Sequence, residues 1–153
     1  MKQLVLASLA TFWFGTAALH GQRFDFTYDH YSFIVKDLKA TGDFYANVLG
    51  FEEIPHPTDT VNFRWFRIRG NTQLHLIRKD EVDRAESKST HLCLAIQDLD
   101  GYIAFLESEG IPYWDWPGTP NAVTNRADGV RQIYLRDPEA NWVEINTAQH
   151  PYD

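Results

Sequence analysis

Cysteine is nearly missing from this sequence: Cys93 is the only one in 153 residues. No intrachain disulfide can form, and a metal site built on thiolates is excluded, so any metal would use histidine and carboxylate. Positive charge is also scarce. Lys plus Arg total 14 against 21 for Asp plus Glu, and the resulting net charge of -7 repels phosphate backbones, which excludes nucleic acid as a general partner. A small local basic pocket is compatible with that balance. What the chain does have is 44% hydrophobic and 14% aromatic residues, enough for one well-filled core. That composition argues against disorder, collagen and a helical membrane protein.

Only one long apolar run occurs, and it opens the chain. MKQLVLASLATFWFGTAALHG places Lys2 ahead of the run and small residues behind it. The run covers residues 4–19, and its 16 residues fall short of the roughly 20 needed to span a bilayer. It therefore reads as a secretory signal peptide over residues 1–21 rather than an anchor. Leu19 and Gly21 would fill the -3 and -1 positions and leave Gln22 as the new terminus, with cleavage after Ala18 as the alternative. The expected mature protein is a single domain over residues 22–153, secreted or periplasmic, with no membrane contact after cleavage.

Compared with itself, the chain repeats. HYSFIVKDL at residues 30–38 precedes a helical stretch containing Phe44, and HLCLAIQDL at 91–99 precedes one containing Phe105. In both copies seven residues lead from His to Asp and seven more from Asp to Phe. Asp37 and Asp98 stand where helix N-caps belong. Phe44, Val48 and Leu49 are expected to face inward from the first helix, and Tyr102, Ile103 and Leu106 from the second. Gly50 and Gly110 follow at positions that need positive φ. Strands are expected over 51–54, 63–69 and 72–78 after the first helix, and over 111–114, 130–136 and 142–147 after the second. The fold class is thus α+β: two βαβββ modules, about 29–78 and 90–147, joined by a polar linker at 79–89. Segment 117–129 is rich in Pro, Gly and Asn and reads either as a loop covering a site or as a passive connector.

Strand parity sorts the polar residues. Tyr31, Phe33 and Val35 form a set for the helix side, leaving His30, Ser32 and Ile34 opposite; Leu92, Leu94 and Ile96 leave His91, Cys93 and Ala95. Likewise Leu74 and Leu76 oppose His75, and Val143 and Ile145 oppose Trp142, Glu144 and Asn146. Any one of these histidines alone reads as a hydrogen-bonded strand side chain. Together His30, His75, His91 and Glu144 place one metal-ligand type on the same face of each of four strands, with small Ser32, Cys93 and Ala95 leaving space. That pattern implies a curved mixed sheet around a divalent ion such as Zn, Ni, Co, Mn or Fe(II), with helices outside. By the same parity Phe63, Trp65 and Arg67, and Gln132, Tyr134 and Trp142 on the closing hairpin, face the substrate side; Trp65, Tyr134 and Trp142 would wall a small-molecule substrate, with plain core packing the readier reading for the aromatics, and Arg67 would hold a carboxylate. Arg126 is a weaker anion candidate, and Trp114 and Trp116 have no functional reading.

DHYSFIVKDLKATGDFYANVLGFEEI, THLCLAIQDLDGYIAFLESEGI and GVRQIYLRDPEANWVEIN resemble the two module openings and the closing hairpin of the vicinal oxygen chelate superfamily, which includes glyoxalase I, fosfomycin-resistance proteins and extradiol dioxygenases. The resemblance covers about residues 29–147. It implies that His30, His91 and Glu144 are metal ligands and that His75 holds the fourth ligand position, where glyoxalase I usually has Glu or Gln. It also implies chelation of a substrate through adjacent oxygens, with the metal stabilising an enolate or oxyanion. Glu144 is then the expected base and His75 either a ligand or a second base. The leading expectation is a secreted glyoxalase-like isomerase or lyase acting on a small α-hydroxy or α-oxo carbonyl compound with Zn, Ni, Co or Mn. The alternatives are an Fe(II) ring-cleaving dioxygenase and a binding or resistance protein without turnover. The modules could pair within one chain or across a swapped homodimer.

Overall fold

A computed structural model describes residues 27–82 and 87–149. The expected leader at 1–21 and the middle of the expected linker lie outside the described residues. Module one runs β1 (His30–Val35), α1 (Leu38–Asn47), β2 (Glu52–Ile54), β3 (Phe63–Arg69) and β4 (Thr72–Arg78). Module two runs β5 (His91–Ala95), α2 (Leu99–Ser108), β6 (Thr124–Asn125), β7 (Arg131–Arg136) and β8 (Trp142–Asn146). The two sheets have four strands each, ordered β1-β4-β3-β2 and β5-β8-β7-β6. In each, the first strand pairs in parallel with the last and the remaining neighbours are antiparallel. The two βαβββ modules read from the repeat are the architecture of the chain.

The repeated Asp performs the same local task twice. Asp37 Oδ1 accepts from Ala40 N at 2.9 Å and Asp98 Oδ1 from Gly101 N at 2.8 Å, satisfying donors that the first helical turn would otherwise leave open. Gly50 and Gly110 carry φ of 70° and 65° after the helices, a region that glycine enters without a Cβ penalty. The buried face of α1 is Leu38, Thr41, Gly42 and Tyr45. Phe44, Val48 and Leu49, expected on that face, are only partly buried at its margin. The register is set by Tyr45, which is fully buried and donates to Asp137 Oδ2 of module two at 3.2 Å. In α2 Leu106 is buried as expected, but Leu99 shares that place while Tyr102 and Ile103 pack partly buried beside it.

A single core spans both modules: Val35, Phe66, Leu74 and Leu76 join Leu92, Leu106, Ile133, Leu135 and Val143 in one cluster. Each of these side chains contributes roughly 1.5–3 kcal/mol by leaving water. Polar contacts fix the junction. Glu139 Oε1 accepts from the backbone N–H of Lys36 at 2.8 Å and of Asp37 at 2.6 Å, and the Tyr102 hydroxyl donates to Val48 O at 3.2 Å. The expected strand at 111–114 is reduced to isolated bridges from Trp114 to Tyr134 and to Pro120. Pro112 brings no N–H to a ladder, and the second module's outer strand forms instead at Thr124–Asn125, inside the segment read as a loop.

Arg64 ties β3 to α1 and explains a mid-helix glycine. Its guanidinium donates to Glu53 at 2.9 and 2.6 Å, to Asp43 at 3.1 Å and to Lys39 O at 3.1 Å. A Cβ on Gly42 would sit 2.1 Å from Arg64 Nη1. In the native chain Gly42→Ala should therefore destabilise, because a guanidinium pinned by two carboxylates must move. In an Arg64→Met background the same substitution should stabilise by up to about 1 kcal/mol of helix propensity. Chemical denaturation of the four proteins checks that reversal of sign, and equal effects in both backgrounds would contradict it. Hydrogen bonds from Lys39 and then Arg64 hold the Asp43 carboxyl below its ordinary value of 3.8. The pairing thus supports the fold above that pH and is lost as pH falls through the lowered value, so Arg64→Met should flatten the acid limb of stability against pH.

Candidate metal centre

Three neighbouring strands of the second sheet build the site around one carboxylate. Glu144 lies on β8 between Cys93 of β5 and Tyr134 of β7, directly opposite both in register. It is 5% exposed. Its Oε2 accepts from the Tyr134 hydroxyl at 2.5 Å and faces His91 Nε2 at 3.2 Å. Its Oε1 accepts from Asn146 Nδ2 at 2.7 Å and from Cys93 Sγ at 3.4 Å. Gln132 Nε2 donates to the Tyr134 oxygen at 2.8 Å, which orients the phenol's own proton toward Glu144.

Burial works against charge on Glu144, but the hydrogen bonds from Tyr134, Asn146 and Cys93 and the nearby His91 outweigh it and hold the carboxyl below its usual range. The reverse applies to its neighbours. Burial first, then Glu144, raises the Tyr134 phenol. Cys93 as a residue is exposed, yet its sulfur is tucked against Glu144 and Asn146, and desolvation with the adjacent carboxylate pushes the thiol up to about 12.

His91 supplies the decisive detail. Its Nδ1 lies 2.7 Å from the backbone carbonyl of Lys88, which can only accept, so Nδ1 carries the proton and Nε2 is turned to the carboxylate. A neutral ring would then set a lone pair 3.2 Å from a carboxylate oxygen, an arrangement that needs a cation between them, either a proton or a metal ion. Ligand atoms of His91, Cys93 and Glu144 all lie within 4.8 Å of one another, and this is the only such trio among the described residues. Tetrahedral Zn with ligands at about 2.0–2.3 Å separates its donors by about 3.3–3.8 Å, so modest side-chain adjustment fits the trio to an ion. Parity had placed Cys93 on this face only as a small residue; the structure brings its sulfur into the ligand group, which amends the expectation of histidine and carboxylate alone.

His30 and His75 are not part of that trio. They sit on neighbouring β1 and β4, their rings stacked at 4.1 Å between centroids. Trp65 stacks on His75 at 4.0 Å and 7°, and His56 meets Trp65 at 4.4 Å, extending the column of rings. His30 Nδ1 lies 2.6 Å from Asp29 Oδ2, and His75 Nε2 lies 2.9 Å from Gln73 Oε1. Burial and then the neighbouring His30 lower the pKa of His75, favouring its neutral form. Trp65 thus belongs with the first pair of histidines, and its Nε1 is buried without a hydrogen-bond partner. Arg67, on β3 of the first sheet, pairs with Glu52 at 2.7 Å.

Tyr134 and Trp142 do lie at the second pair. The ring of Trp142 is covered by the Lys88 ammonium at 4.6 Å and by the Arg136 guanidinium at 4.5 Å. Trp114 meets Trp142 edge-on at 5.8 Å, and Trp116 lies 5.7 Å from Tyr134. The two tryptophans that sequence alone leaves without a reading thus pack against Trp142 and Tyr134. Gln132, on the same parity as Tyr134 and Trp142, bonds the Tyr134 hydroxyl, and Asn146, which shares the parity of Glu144, could have been promoted to the site by the same alternation; Lys88, in a polar linker, carried no such signal.

Comparison with known proteins gives one family. The model of the Glyoxalase/Bleomycin resistance protein/Dioxygenase superfamily matches residues 27–145. YwbC of Bacillus subtilis (strain 168) is 26% identical over 123 residues, covering 76% of this chain and 94% of that one. Among solved structures, the oxidase ChaP-H2 superposes with a TM-score of 0.64 at 23% identity, covering 84% of this chain and 98% of that one. The lactoylglutathione lyase of Agrobacterium tumefaciens superposes with a TM-score of 0.62 at 22% identity, covering 80% and 93%. At such identities the structural likeness speaks for the fold alone. With the family model spanning both βαβββ modules, the chain belongs to the Glyoxalase/Bleomycin resistance protein/Dioxygenase superfamily.

Proposed function

We propose that this protein is a metal-dependent enzyme of the isomerase or lyase type, acting on a small α-hydroxy or α-oxo carbonyl compound. The observation that carries the reading is the buried Glu144 carboxylate facing His91 Nε2 at 3.2 Å with the Cys93 sulfur alongside. The sulfur favours Zn or Co over Mn as the ion. Such an ion supplies Lewis acidity for adjacent substrate oxygens. The chain's own residues supply the rest. His91 is held in one tautomer by the Lys88 carbonyl. Tyr134 holds Glu144 Oε2 in place and, through the same hydrogen bond, keeps a proton beside the oxygen that would accept one from a substrate carbon.

His30 and His75 enter this reading through a second copy of the chain. Among the described residues β1 neighbours only β4 and β5 only β8. A twofold dimer that sets β1 of one copy against β5 of the other would bring His30 and His75 to His91 and Glu144, with His75 as fourth ligand or second base. Export is part of the same proposal. The leader at residues 1–21 supports it, and N-terminal sequencing of the exported protein should begin at Gln22.

The protein purified without a His tag should hold about one metal ion per chain by elemental mass spectrometry, and His91→Ala or Glu144→Gln should lose it. Zn, Ni, Co or Mn fits the isomerase reading, whereas iron would favour a dioxygenase. Refolding His30→Ala together with His91→Ala tests the swapped pairing. In a swapped heterodimer one site receives both lesions and the other none, so mixing should restore about a quarter of native activity. Sites closed within one chain would recover nothing.

A further inference from the structure

For a chain of net charge -7, the surroundings of His91 and Glu144 are unexpectedly cationic. Arg136 covers the Trp142 ring, and the charge of Arg126 acts on both Cys93 and Tyr134 while its guanidinium pairs with Asp128 at 2.6 Å. Among the described residues neither Arg136 nor Lys88 forms a salt bridge, and the Asp115 carboxylate reaches Lys88 through its charge alone. Lys88 Nζ donates to the carbonyls of Asp115 at 2.9 Å and Trp116 at 3.0 Å, and it lies over the rings of Tyr134 at 5.2 Å and Trp142 at 4.6 Å. The Asp115 carboxylate is turned elsewhere, accepting from Gly118 N and Thr119 N at 2.8 and 2.6 Å. The two carbonyls engage two of the ammonium's three donors, and among the described residues the third meets only the ring faces, from which a stronger acceptor would draw it. One of those rings belongs to Tyr134, whose hydroxyl is bound to Glu144. Carbonyl and ring contacts stabilise the cation without neutralising it. A single such donor beside aromatic walls suits the planar carboxylate of a small organic acid; a phosphate would ask for several donors.

We propose that Lys88 is a specificity-determining residue that binds a carboxylate on the substrate held at the His91–Glu144 centre, so the enzyme selects anionic hydroxy- or oxo-carbonyl compounds over neutral analogues. The inference rests on the metal-centre reading above. A purely structural role, tying the segment at Asp115 and Trp116 to β7 and β8, would affect every ligand alike.

Benzohydroxamate and its 3- and 4-carboxy derivatives separate the two. All three offer adjacent oxygens to a metal, and they differ only in the added carboxylate. Calorimetric titration of the zinc-loaded full chain should show at least one carboxy derivative binding about tenfold tighter than the parent, a preference that Lys88→Met abolishes while leaving parent affinity within about twofold. Equal affinities in the native protein, or a preference that survives Lys88→Met, would overturn the assignment. Should Lys88→Met lose all three ligands, Lys88→Arg decides: a retained preference supports charge recognition, and its loss overturns it. Metal content of the same samples keeps the two readings apart. A protein that takes up no zinc and binds no hydroxamate brings down the metal centre and this inference with it, whereas a zinc-loaded protein that binds the parent without favouring the carboxylates brings down only the role of Lys88.

Discussion

A carboxylate buried to 5% exposure in the second sheet sets the terms for everything around it. Removing such a charge from water costs several kcal/mol unless partners replace the lost hydration. Glu144 receives four: the Tyr134 hydroxyl, Asn146 Nδ2, Cys93 Sγ and the His91 ring. Three of them follow directly from strand pairing, since Cys93 and Tyr134 are its register partners and Asn146 is two residues along the same strand. The fourth depends on Lys88, whose carbonyl fixes the imidazole. A change in the β5–β8 register by one residue would turn both His91 and Cys93 to the core side and leave the carboxylate unanswered.

The first sheet repeats that construction with other chemistry. His75 sits on β4 where Glu144 sits on β8, and His30 on β1 where His91 sits on β5. There the pair packs as stacked rings, continued by Trp65 and His56, with the Asp29 carboxylate at the edge of His30. The core joins the modules through their helix-side residues, and Tyr45, Asp137 and Glu139 fix that junction.

Much of this was legible in the sequence, for physical reasons that can be named. The His-to-Asp spacing announced a strand followed by a capped helix, and both caps form as read. Alternation separated Val35, Leu74, Leu92 and Val143 from the histidines and Glu144 because the strands are one-sided and period two is strict. The inward face of α1 was misplaced because Phe44, Val48 and Leu49 are apolar without being central; the register was decided by a distant acceptor, Asp137, that no local pattern reveals. The outer strand of module two moved to Thr124–Asn125 for a similar reason, since apolar residues at 111–114 outweighed Pro112 in the pattern. The role of Lys88 was hidden because it arises from a backbone carbonyl and from rings far away in sequence. Cys93 was visible by position and discounted by chemistry, a lone thiol being read as spacing rather than as a donor.

Cobalt substitution tests the central claim most directly, because the absorption of bound Co(II) reports the donor atoms themselves. The trio of His91, Cys93 and Glu144 predicts uptake of about one Co(II) per chain with an intense near-ultraviolet thiolate charge-transfer band that disappears in Cys93→Ser while histidine-dependent binding persists. A native protein that takes up no Co(II), or whose spectrum is unchanged when both His91 and Cys93 are replaced, would contradict a metal centre at Glu144.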